Sequence, residues 1–268
     1  MTERTLLLRP LDVGAVDVLL CDADGTLFDS EEPAFAASTE VTNRLLAALG
    51  VDRAYTPEDL RRWALGRNFR SAAPALVAEA GVEIGTDVLE RWVVTERVAV
   101  TEKLAAVLRP TAGVRAALVM LSDQFRLCVV TSSATPRLDR CLGATALDDL
   151  FPPDVRFSAE DSLPTPASKP DPSIYRFAGE QLGVRGARGL AVEDSVAGVR
   201  SAVAAGFPTV GMLEFVPRDE RTERVVALGD AGVAAIVPSW RHLAELLASG
   251  RHGRSLVVRS GRASVIGR

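Results

Sequence analysis

"CDADGTLFDS", residues 21–30, closes an apolar run at residues 16–21 with two carboxylates one residue apart, Asp22 and Asp24, and then turns at Gly25. The run is short and rich in valine and leucine, the pattern of a buried parallel strand. Ending it in two acids is costly. Like charges repel and burial penalises both, unless a cation sits between them or one keeps a proton. A plain turn after a strand is the simpler alternative. What decides between them is what else reaches the same rim.

Similar runs recur at residues 127–130, 189–192, 208–212 and 233–237. Helical patterns separate them: 172–182 after Asp171 as N-cap, 195–205 ending at Gly206, 218–228 and 240–247. Strands alternating with helices predict an α/β fold, a three-layer Rossmann-like core around a parallel sheet. Residues 33–109 differ, because no strand pattern occurs there. Helices are expected at 33–49, from Thr56-Pro57-Glu58-Asp59, at 71–80 and at 87–107. The spacing therefore predicts a core of residues 1–30 and 110–248, an inserted α-helical domain at 31–109, and an arginine-rich tail at 249–268 with a loosely held end.

Composition narrows the chemistry. The chain has 268 residues, 47% hydrophobic and 25% charged, which is ordinary for a globular protein, and a net charge of −4 gives no basic field for nucleic acid. Cys21, Cys128 and Cys141 lack metal or redox spacing, which suits a reducing compartment. Cys21 reads as a small buried hydrophobe. The only histidines are His242 and His252, beside the tail, which argues against Ser-His-Asp, Cys-His and zinc chemistry. No apolar run approaches membrane-span length, and the N-terminal one is too short for a secretory signal. A cytoplasmic protein is expected, without nucleic-acid or membrane partners, monomeric or alternatively dimeric. Lys103 and Lys169 are the only lysines, so a lysine near a site is conspicuous.

In open parallel sheets, ligands bind beyond the carboxyl ends of the strands. There the first strand carries Asp22 and Asp24. The strand at 127–130 carries Thr131-Ser132-Ser133, the strand at 189–192 carries Glu193-Asp194-Ser195, and a loop brings Ser168-Lys169-Pro170-Asp171. A carboxylate cluster suits a hard divalent cation such as Mg²⁺, which offsets the repulsion between acids. Hydroxyls, first-turn amides and a lysine suit phosphate oxygens. With no usable histidine or thiol, a carboxylate is the natural nucleophile. The hydroxyls at 131–133 could equally cap the next helix, and Glu193 could stand behind the metal rather than bind it.

Asp22-Ala23-Asp24-Gly25-Thr26, Thr131, Lys169 and Glu193-Asp194 resemble, in order and strand context, the motifs of the haloacid dehalogenase superfamily. "SKPDPSIY" (168–175) and "VEDSVAGVRSAVAAG" (192–206) resemble those of its β-phosphoglucomutase-like phosphatase branch, which inserts a helical cap after the first motif. The resemblance implies a Mg²⁺-dependent phosphomonoesterase acting on a small phosphate ester, a sugar or polyol phosphate. In it Asp22 is nucleophile and metal ligand. Asp24 is acid and base and binds metal through its carbonyl. Thr131 and Ser132 hold phosphoryl oxygens, and Lys169 neutralises them. Asp194, with Glu193, completes the metal site. Asp24 separates the chain from dehalogenases that attack carbon. The stretch Glu31-Glu32-Pro33-Ala34-Phe35 lacks the histidine that mutases of the branch use. A phosphomutase and a non-catalytic binding protein remain as alternatives. "GRNFRS" (66–71) resembles a substrate-reading loop, with Arg67 or Arg70 as the reader and solvated helix-end arginines as the plainer option.

Overall fold

The computed structural model describes residues 4–63 and 69–251. In chain order these form β1 (Leu6–Leu7), β2 (Val18–Cys21), α1 (Glu31–Ala48), α2 (Pro57–Trp63), α3 (Phe69–Glu79), α4 (Thr86–Val107), α5 (Ala112–Ser122), β3 (Arg126–Thr131), α6 (Thr135–Ala144), β4 (Arg156–Ser158), α7 (Ser173–Leu182), β5 (Gly189–Glu193), α8 (Val196–Ala204), β6 (Thr209–Met212), α9 (Arg221–Ala231), β7 (Ala235–Val237) and α10 (Trp240–Arg251). The chain divides into two compact units, Met1–Asp29 with Arg109–Arg268, and Ser30–Leu108. No single described helix is long and apolar enough to cross a membrane.

The first unit is a three-layer α/β core. Its seven described strands run β1-β7-β6-β5-β2-β3-β4. All pairings are parallel except at the edge, where β1 runs antiparallel to β7. β2 sits between β3 and β5 in a shared register, with Cys21 opposite both Val129 and Val192. The loops after these three strands therefore emerge at one level of one rim. Val18, Leu20, Cys128, Val130 and Ala191 bury one sheet face against Ile174, Tyr175 and Ala178 of α7 and Ala202 of α8. Elsewhere in this unit α5 and α10 pack against each other.

Two strands lay outside the expected set, and the expected elements shifted by a few residues. β1 and β4 are two and three residues long, too short to show a period. β2 begins at Val18, two residues later than its apolar run, because Val16 is still tied to the short turn before it by a bond from its N–H to the Val13 carbonyl. The helix expected at 172 starts at Ser173, whose N–H donates to Asp171 Oδ1 at 2.8 Å.

The second unit, Ser30–Leu108, is all helix among its described residues. α1 packs along α4, and Leu45, Leu46, Leu60, Leu76 and Val77 close a small core of their own. Trp63 and Trp92 pack at its edge, and Trp63 donates its indole N–H to Glu79 at 2.8 Å.

Candidate active site

Asp22 follows β2 directly and keeps the sheet register, its N–H donating to Val192 C=O at 2.9 Å. The chain then folds back on itself, with Leu27 N–H bonded to Ala23 C=O at 2.8 Å and Gly25 N–H to Phe28 C=O at 3.0 Å. Gly25 takes φ +78°, and a Cβ there would lie 2.5 Å from Asp194 Oδ2. Glycine is thus required twice, by the left-handed backbone and by the approach of Asp194. Gly25→Ala is expected to fold, to displace the Asp194 carboxylate, and to lower turnover about 10- to 100-fold, the scale of disturbing a supporting contact at a site. Steady-state kinetics check this, and unchanged turnover refutes it.

Lys169 is the centre of the cluster. Its ammonium donates to Asp22 Oδ1 at 2.6 Å, Glu193 Oε1 at 2.7 Å and the Val130 carbonyl at 2.7 Å, so each of its three protons has an acceptor. The loop that carries it is tied to the neighbouring strand end, Lys169 N–H donating to Ser132 Oγ at 3.1 Å. Tyr175 lies beneath, fully buried, giving its hydroxyl proton to Glu193 Oε1 at 2.5 Å and its ring to the ammonium at 5.2 Å. Asp22, Glu193 and Asp194 are all buried and offer oxygens within 4.8 Å of one another. Glu193 Oε2 is buried without a protein hydrogen bond.

Burial dominates the electrostatics. It raises the Glu193 carboxyl to about 7, helped by Asp22 and opposed by Lys169 and Tyr175. Burial also raises Asp22 above its ordinary value, against the pull of Lys169. Burial alone would lower the Lys169 ammonium, but Asp22 and Glu193 outweigh it and the net shift is upward. A carboxyl raised on folding favours the fold below its unfolded value and loses that contribution as pH rises through the folded one. For Glu193 that window runs from 4.5 to about 7. Protein in chelator should therefore become less stable across that range. Glu193→Gln should remove part of the slope, as read from urea midpoints. A wild-type midpoint that rises with pH over the window would refute the assignment.

The hydroxyl cluster and the second acid meet at the same rim. Thr131, the last residue of β3, is buried, and its Oγ1 accepts from Ser133 N–H at 3.0 Å. Ser133 Oγ donates to Asp24 Oδ2 at 2.7 Å, and Arg137 of α6 donates to Asp24 Oδ1 at 2.9 Å. Asp194 accepts from Thr26 Oγ1 at 3.1 Å, while Arg224 of α9 holds its main-chain carbonyl at 2.9 Å. The structure thus brings Asp22, Asp24, Thr131, Ser132, Lys169, Glu193 and Asp194 to one rim. Arg70 pairs with Glu90 inside the helical unit, and Arg67 lies outside the described residues. Sequence reasoning missed Tyr175, Arg137 and Arg224. Tyr175 stands in the quoted "SKPDPSIY", where its phase on α7 could have marked it, but nothing local singles out either arginine. Cys21 is fully buried, and burial raises its thiol, which fits a packing role.

The donor set fits a hard divalent cation. Every side-chain ligand offered is a carboxylate oxygen, one ammonium is shared by two of the three acids, and one of their oxygens is orphaned.

A Rossmann-like sheet carries paired acids and a buried lysine side chain at the carboxyl ends of its central strands. Residues 16–206 match the family of haloacid dehalogenase-like hydrolases. The chain belongs to that family and is a hydrolase, as its motifs had indicated. It is 29% identical over 224 residues to protein CbbY of Cereibacter sphaeroides, covering 76% of this chain and 87% of that one. Its fold is similar to a conserved haloacid dehalogenase-like protein from Agrobacterium tumefaciens, with a TM-score of 0.67 and 27% identity over 87% of this chain and 98% of that one. It is similar as well to CbbY from Rhodobacter sphaeroides in complex with xylulose-(1,5)bisphosphate, with a TM-score of 0.64 and 24% identity over 84% and 95% of the two chains.

Proposed function

We propose that this hydrolase is a magnesium-dependent phosphomonoesterase that acts on a small phosphorylated metabolite, a sugar or polyol phosphate, through an aspartyl phosphate on Asp22. One observation carries the reading. The Lys169 ammonium lies 2.6 Å from Asp22 Oδ1, in a cluster where Asp194 and Glu193 offer further oxygens. A nucleophilic carboxylate must meet a dianion, and that encounter requires positive charge already in place. The relative CbbY, solved elsewhere with a sugar bisphosphate, supports the substrate class.

Asp22 attacks phosphorus. The bond from its oxygen to phosphorus forms as the ester P–O bond breaks. Asp24 gives a proton to the departing alkoxide, then takes one from the water that attacks the phosphoenzyme, so phosphate leaves and Asp22 is regenerated. Thr131 and Ser132 bind phosphoryl oxygens, and Lys169 orients Asp22 while balancing their charge. Asp22, Asp194, the Asp24 carbonyl and Glu193 would hold Mg²⁺, which when bound neutralises charge on the transferring phosphoryl group. The helical unit Ser30–Leu108 takes the family's cap role in this reading.

A panel of phosphate esters, scored by released orthophosphate with magnesium and with chelator, tests the reading. Magnesium-dependent release, most efficient on sugar or polyol phosphates, is expected. No release from any ester refutes phosphatase activity, and release indifferent to chelation refutes the metal. Interconversion of hexose phosphates with a bisphosphate activator, without net release, would make the enzyme a mutase.

A further inference from the structure

We propose that Trp240 is a positioning residue for the carboxylate of Asp194, acting through Thr26. This rests on the metal reading above. Trp240 opens α10, is fully buried, and donates its indole N–H to the Thr26 carbonyl at 2.8 Å. Thr26, also fully buried, donates its hydroxyl to Asp194 Oδ1 at 3.1 Å. A chain of two hydrogen bonds therefore runs from the last described helix of the core, through the turn after Asp22, to the carboxylate of Asp194.

The outer end of this chain is itself anchored. Trp240 N–H donates to Glu214 Oε2 at 2.9 Å, which ties the start of α10 to the loop after β6. A rigid indole fixed at its backbone sets the height of the Thr26 carbonyl, and with it the direction of the Thr26 hydroxyl. Gly25, the preceding residue, already approaches Asp194 without room for a Cβ, so a small tilt of this turn is felt at the carboxylate. Arg224 holds the Asp194 main-chain carbonyl at 2.9 Å and pairs with Oδ2 at 3.6 Å, so losing the indole bond disturbs the Oδ1 contact while these anchors remain. Trp240 lies beyond residues 16–206, the part of the chain that matches the family, so the strut is contributed from outside the matched motifs.

Partners of metal ligands usually control about 10- to 100-fold of metal affinity, and a partner one bond further out is expected near the low end. Trp240→Phe removes the N–H and keeps a ring in the buried position. Titration of magnesium into the metal-free protein, followed by calorimetry, should show the dissociation constant raised about five- to tenfold. Thr26→Val should raise it by a similar or larger factor, and the double variant should be no weaker than Thr26→Val alone, because both act through one hydroxyl. Thermal unfolding in chelator confirms that each variant folds. If Trp240→Phe does not fold, biosynthetic replacement of tryptophan by benzothienylalanine keeps the ring shape without the N–H and gives the same comparison. Wild-type affinity in either N–H-less protein overturns the strut, and so do fully additive effects in the double variant. Wild-type protein that binds no magnesium overturns the metal reading itself, so the two failures are distinguishable.

Discussion

Asp22→Asn should lower the rate of phosphate release by about 10⁴-fold or more, the scale of losing a covalent nucleophile. The amide has the shape of the carboxylate and keeps an oxygen for Lys169, so the cluster's geometry survives. What is lost is the charged oxygen that, in the proposed mechanism, bonds to phosphorus. The same change should leave the metal-free protein at least as stable as the wild type. Burial holds the Asp22 carboxyl above its ordinary value, so the ionised form is disfavoured in the fold, and a neutral isostere relieves that strain at neutral pH. Inactivity combined with undiminished stability separates a chemical role from a structural one. Asp24→Asn gives the complementary signature. With an aryl phosphate, whose leaving group needs no proton, a phosphoryl group should accumulate on Asp22, detectable in the intact mass, because no base remains to draw a proton from water. Magnesium-dependent turnover at the wild-type rate in Asp22→Asn would refute the carboxylate mechanism outright.

Lys169→Met should have the largest effect on folding. Its side chain is only 6% exposed, and its ammonium makes three hydrogen bonds, two of them to buried carboxylates. Removing one partner of a buried ion pair costs about 3–5 kcal/mol, because the opposing charge is left uncompensated. The loss should be greatest above pH 7, where Glu193 is ionised, and smaller near pH 5, where it takes a proton. Adding Glu193→Gln to Lys169→Met should restore part of the stability and none of the turnover, since the dianionic phosphoryl group would still lack its counter-charge. Urea denaturation at two pH values measures both effects. A loss below about 1 kcal/mol at pH 8 would mean that the cluster's acids find other compensation.

Much of this was legible in the chain itself. The alternation of short apolar runs with helical patterns located five of the seven described strands of the core, because burial on both faces leaves a continuous valine and leucine signature. The helical stretch after the first of them stood out by lacking any such run. The acids, the lysine and the hydroxyls each followed a strand at its carboxyl end, which is where parallel topology collects ligands. β1 and β4 escaped notice because strands of two and three residues carry no period of their own, and neither lies in an apolar run as long as residues 233–237, which marked the equally short β7.

The sequence by itself determined the α/β architecture, the helical insertion and the set of acids, lysine and hydroxyls at the rim, because periodicity and residue type are local properties. Only the tertiary structure decided how these groups divide their bonds. Lys169 is shared between Asp22 and Glu193, Glu193 buries one oxygen without a hydrogen bond, and Tyr175, Arg137, Arg224 and Trp240 stand behind the rim. Those partners come from as far as 214 residues away. Each is chosen by the direction in which a packed helix presents its side chain, which no local pattern encodes.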